Sequence, residues 1–144
     1  MIALRPLGLV LTVCAAMPGS ALAAPGIDWT KPVICAVLRT VECGVSEDCK
    51  TGSAESVNVP QFLRIDLGKR RMTGIRPGGE QAATTAAALE ETKDTLILQG
   101  IEEGRGWTAV IDKISGKLVA TAAGSQAGFL VFGACTSLVA DNPE

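Results

Sequence analysis

The amino-acid sequence predicts an all-β fold: a single small antiparallel meander of about eight strands, forming a closed barrel or a two-layer sandwich, stapled by disulfides. Three observations carry this expectation. Short runs rich in Val, Ile, Leu, Thr and Phe alternate with turn clusters built on Gly, Asp and Ser. The most regular stretch, Gly106 to Cys135, holds three such runs joined by two tight turns, and it closes on a cysteine. Four cysteines follow an export signal, an even number that favours disulfides in an oxidising compartment.

In chain order, residues 1–23 read as a signal peptide. Arg5 precedes an apolar run from Leu7 to Met17, Pro18-Gly19 breaks it, and Ala21-Leu22-Ala23 is a cleavage site. The apolar run is too short to span a bilayer. Val13 is bulkier than the small residue expected before a lipidated cysteine, so Cys14 does not signal an anchor. Cleavage after Ala23 leaves 24–144 as one secreted or periplasmic β-domain, long enough for a single core. Losing Arg5 takes the 13 basic residues to 12 against 15 acidic ones, a net charge near −3.

Residues 24–32, with Pro25, Gly26, Trp29 and Pro32, form an irregular leader, and Trp29 is placed to plug one barrel end. Val33 to Val41 is the first strand, and the polar stretch 42–58 is a loop holding Cys43 and Cys49. Val59 to Leu67 alternates cleanly, with Leu63, Ile65 and Leu67 on one side. Gly68-Lys69 turns the chain, Arg70 to Ile75 returns it, and Arg76-Pro77-Gly78-Gly79 ends the run. Gln81 to Glu91 is alanine-rich but shows no helical face, and a strand-turn-strand hairpin is expected there.

Thr95 to Gln99 is the next strand, and Glu102 to Arg105 the turn after it. Trp107 to Ile111 sets Trp107, Ala109 and Ile111 on one face. Asp112 to Gly116 is a turn in which Asp112 bonds its own backbone and Gly116 takes the left-handed conformation. Lys117 to Thr121 returns, Gly124 to Gly128 turns again, and Phe129 to Phe132, apolar on both faces, sits centrally. Residues 136–144 are a C-terminal tail.

Four cysteines allow three pairings. The favoured one joins Cys43 to Cys49 across the polar loop and Cys35 to Cys135, tying the first strand to the last as barrel closure would require. There is no histidine and no C-x-x-C pair, so no metal site is expected. The same absence removes Ser-His and Cys-His nucleophilic pairs, and neither a catalytic residue nor a cofactor is assigned. Glu90/Glu91 and Glu102/Glu103 are adjacent pairs beside turns and read as solvated charges.

Two candidate sites remain. Lys69, Arg70 and Arg71, with Arg76 nearby, are the only basic cluster and suit an anion or an acidic partner. Trp107, Phe129 and Phe132 are candidates to line an apolar pocket. The negative charge and the absence of tyrosine argue against nucleic acid.

The spacing of Cys35, Cys43 and Cys49, the run Phe62 to Leu67, Gly106-Trp107, and the ending Phe132-Gly133-Ala134-Cys135 together resemble small uncharacterised exported proteins of Gram-negative bacteria. The resemblance covers most of 24–144 and implies a periplasmic home. The layout is also loosely similar to small periplasmic lysozyme inhibitors, disulfide-bonded β-barrels, although their inhibitory-loop signature is missing here. The function expected first is non-enzymatic binding of a periplasmic protein or anionic envelope component. The alternative is a lipocalin-like carrier of a small apolar ligand. Inhibition of a cell-wall enzyme, by fold analogy only, stands third.

Overall fold

The structure is a computed structural model that describes residues 26–138. The expected signal peptide and the last residues of the expected tail lie outside them. Two long strands, β1 (Val33–Gly44) and β10 (Ala127–Ser137), pair antiparallel along their whole length and form the spine of the molecule. The other edge of β1 carries two short strands end to end: β2 (Lys50–Gly52) opposite Thr40 to Glu42, and β3 (Phe62–Asp66) opposite Val33 to Ala36. The register shifts between Val37 and Arg39, so Leu38 bulges outward where the two partners meet, as an extra residue in one strand requires.

From β3 the sheet continues through β4 (Arg71–Ile75) to β5 (Gln81–Thr85). From β10 it continues through β9 (Lys117–Ala123), β8 (Arg105–Asp112) and β7 (Thr95–Glu102) to β6 (Ala88–Glu91). One curled, barrel-like antiparallel sheet results, with no second sheet stacked on it. It is a meander closed between its first and last strands and interrupted in the middle of the chain.

Two local expectations are corrected. The polar stretch 42–58 is not all loop, because it contains β2 and a single 3-10 turn, Glu55–Val57. Residues 81–91 form two strands but no hairpin: β5 and β6 are the opposite edges of the sheet. Extended backbone directs successive N–H groups to opposite sides. Here Ala86 N–H donates to the Arg70 carbonyl and Ala87 N–H to the Gln99 carbonyl, both at 2.8 Å. Those two alanines hand the chain across the seam.

The core follows the alternation of inward positions. Val33, Cys35, Ile65, Leu96, Leu98 and Ile111 are fully buried at the end where the chain enters the sheet. Ile27 and Trp29 pack against that cluster, and the Trp29 indole donates to the Lys113 carbonyl at 3.0 Å, closing that end. Cys35 lies directly opposite Cys135 in the β1–β10 register and is bonded to it, and Cys43 is bonded to Cys49. The turn after β8 is built as expected. Gly116 has φ +70°, and a Cβ there would stand 2.3 Å from the Cys135 carbonyl oxygen. The Asp112 carboxylate accepts the Ser115 N–H (2.6 Å), the Ser115 hydroxyl (2.8 Å) and the Ile114 N–H (3.1 Å).

The two bridges close loops of very different length, with sequence separations of 100 and 6. Loop entropy gives about 4.7 kcal/mol for the long one and about 2.4 kcal/mol for the short one as upper figures. Replacing Cys35 and Cys135 by Ala should therefore lower unfolding free energy more than replacing Cys43 and Cys49, as read from denaturant midpoints. The reverse order would show that the long bridge adds little to the paired strands.

The hydrogen bonds from Ser115, backbone first and hydroxyl second, hold the Asp112 carboxyl below the usual aspartate range. A folded pKa below the unfolded one adds stability above the unfolded value, which is lost as pH falls through the folded value. Asp112→Asn should thus flatten the acid limb of the stability profile. An unchanged limb would mean that this turn does not contribute to it.

Candidate functional site

At the far end of the barrel the inward positions become small. Ala82 of β5, Ala109 of β8, and Ala120 and Ala122 of β9 occupy places that leucine and isoleucine fill at the closed end. Side-chain volume is missing there, and a mostly apolar cavity of about 200 Å3 remains. Leu63, Met72 and Trp107 complete its walls, and Val57 to Pro60, from the β2–β3 connection, form part of its rim. Pro60 sits in the space above Gly74, where a Cβ would approach it to 2.5 Å.

Trp107 owes its position to its cross-strand partner Gly100. A Cβ on Gly100 would lie 2.4 Å from the indole ring, so the ring lies flat over the glycine and shields that backbone. Beyond Gln99, β7 pairs only with β8, while β5 pairs only with β4. Glu102, two residues past Gly100 on the same face of β7, and Glu103 next to it both reach Arg76. The Arg76 Nη2 lies 3.3 Å from Glu102 Oε1 and 3.5 Å from Glu103 Oε1, joining the β4–β5 connection to the β7–β8 turn. Glu103 remains a largely exposed turn charge, as expected, and Glu102 is half-buried; their shared ion pair with Arg76 was not expected. The seam is thus held at Ala86–Ala87 and at Arg76, with no strand pairing between.

Two donors around this cavity lack partners. Trp107 Nε1 and Arg76 Nε are buried and make no hydrogen bond within the protein. An unsatisfied buried donor costs about 1–3 kcal/mol, so two on one cavity mark an unusual environment. The Arg105 guanidinium, also at the cavity, lies 5.5 Å from the Phe129 ring centroid and is turned toward that ring.

The residues singled out in the sequence are divided by the fold. Trp107 lines the cavity. Phe129 pairs with Ala122 and shares its inward face near Arg105, but it does not line the cavity. Phe132, three positions on, falls on the outer face, where the Arg39 guanidinium lies 4.7 Å from its centroid. It is therefore not a pocket residue. Lys69, Arg70 and Arg71 sit at the β3–β4 turn: Arg70 has φ +52°, and Lys69 lies 3.8 Å from Asp66. Arg76 is at the opposite end of β4, about 20 Å away at 3.3 Å per residue. The four cations do not form one patch.

The alternate alanines, Gly100 and the two glutamates were not recognised as site residues from sequence. The signal was present, since an alanine-rich run with no helical face is what an inward strand beside a cavity produces. Among the described residues no group of three or more Cys, Asp or Glu side chains is placed to hold a metal, and no helix is long and apolar enough to cross a membrane. Comparison with protein-family models, with curated proteins and with solved structures found no match for the chain.

Gly100→Ala forces the Trp107 ring off its seat. A stability loss of about 1–3 kcal/mol is expected for such overpacking. In a Trp29→Phe background, the emission of Trp107 should shift as the ring moves toward water. Unaltered emission and stability would show that the glycine is not what seats the indole.

Proposed function

We propose that the chain is a non-enzymatic, exported binding domain whose ligand is a small apolar molecule held inside the barrel, in the manner of a lipocalin-like carrier. The cavity of about 200 Å3 carries this reading. A dry apolar cavity of about 150 Å3 is enough to bind benzene, so this one suits a molecule slightly larger than a single ring. Most of its lining surface is apolar, as in small-molecule sites, with Arg76, Glu102, Glu103 and Arg105 as charged groups beside it. The two disulfides are compatible with the oxidising, extracytoplasmic setting such a carrier would occupy.

Engagement of an anionic partner through Lys69, Arg70 and Arg71 has less support. Asp66 compensates Lys69, and Arg76 is drawn into the seam.

Titration of the nitrogen-15-labelled protein with benzene should move the amide signals of Trp107, Ala109 and Ala120. Ala120→Leu, which fills the cavity, should weaken binding at least tenfold while leaving the spectrum dispersed. Absence of any shift would falsify the carrier reading, and shifts confined to Lys69–Arg71 would redirect it to the hairpin.

A further inference from the structure

We propose that the outer face of β7–β10 is a dimer interface. A second copy of this chain packs against it, face to face, about a two-fold axis that runs along the strands between β8 and β9. This surface is on the outside of the sheet and does not depend on what the cavity holds. Leu96, Leu98, Ile111 and Leu118 are buried within, so their neighbours along each strand point outward. The registers set those outward residues in rows that cross all four strands. One row is Ile97, Val110, Val119 and Phe132. The next is Gln99, Thr108, Thr121 and Leu130, and the third is Ile101, Gly106, Ala123 and Gly128. None of these positions is charged, although the chain has 13 basic and 15 acidic residues. Soluble surfaces intersperse charges, whereas the core of an interface is depleted of them. Val110 and Val119, side by side, are each 39% exposed, and Ile101 is 76% exposed.

Charge returns at the margins in a self-complementary pattern, which identifies the partner as a second copy. Beyond Ile97 the first row continues to Glu90 on β6, and beyond Phe132 to Arg39 on β1, both exposed. It thus runs from an acid to a base over about 24 Å of sheet, with four apolar residues between. Neither Glu90 nor Arg39 forms an ion pair among the described residues. The Arg39 guanidinium rests on the Phe132 ring, at the border of the apolar row. A two-fold axis along the strands reverses their order and keeps each row at its own level. Glu90 then faces the partner's Arg39, Ile97 the partner's Phe132, and Val110 the partner's Val119. Asp112 lies one outward step beyond Val110 and Lys117 one before Val119, so each faces the other's counterpart. Size matches as well as charge, because the exposed Ile101 meets the partner's Gly128. An unrelated partner would have to supply acid and base at this spacing, and a second copy carries them already.

Sedimentation equilibrium of the purified protein, with both disulfides formed, should show a monomer–dimer equilibrium across a concentration series. Val119→Lys sets a charge at the centre of the contact and should weaken dimerisation at least about tenfold. Ile101→Lys, at a more exposed position, should also weaken it and serves if Val119→Lys does not fold. Glu90→Arg alone and Arg39→Glu alone bring like charges face to face and should each weaken the dimer. The double variant restores opposite charges and should recover it. A monomer up to millimolar concentration would overturn the proposal. So would a dimer indifferent to the lysine variants, or charge reversals that have no effect or are not rescued by the double variant.

Discussion

The pairing of β1 with β10 is the constraint on which the rest of the structure depends. These strands come from opposite ends of the described chain, and their register is pinned where Cys35 and Cys135 face and bond each other. Joining the ends of a meander turns a ribbon edged by its terminal strands into a curled sheet whose edges come from mid-chain. The interruption then has to fall elsewhere, and it falls between β5 and β6. The inward faces of the other strands take their positions from this pair. β3 is docked on β1 through Val33 to Ala36, and β9 is docked on β10 through Gly128 to Ala134.

The seam and the cavity follow from that arrangement. Two alanines carry the chain from one sheet edge to the other, with one amide bonded to each side. The edges then run on without pairing until Arg76 meets Glu102 and Glu103. An exposed ion pair contributes little, but Arg76 is only 19% exposed, so this contact acts as a fastening. Between the two fastenings the interior is lined by alanines, and the packing that fills the closed end is lacking. The same curled sheet is therefore solidly packed at the Trp29 end and hollow at the Trp107 end.

Much of the strand and turn pattern was legible locally. Leu63, Ile65 and Leu67 announced a half-buried strand by period-two alternation, and Asp112 with Gly116 announced a hairpin turn by the conformations those residues favour. The site was far less legible. Glu102 and Glu103 were legible as turn charges but not as an ion pair, because their partner, Arg76, lies 26 residues away from Glu102. Phe132 looked like a neighbour of Phe129, although an odd offset along a strand puts it on the other face. Arg76 looked like a member of a basic cluster, although the length of β4 separates it from Lys69–Arg71.

By itself, the sequence determined the all-β class and most of the turn positions, because these depend on backbone preferences of individual residues that are carried within a few positions. It favoured, among three possible cysteine pairings, the one the structure shows, on the supposition that the first and last strands meet. Only the tertiary structure decided where the sheet is interrupted, which alanines face one another, and which donors are buried without partners. Those depend on the registers of strands distant in sequence, and a cavity is the sum of side chains missing from several of them at once. The cavity at the Trp107 end exists because residues that are small for no local reason converge on one space.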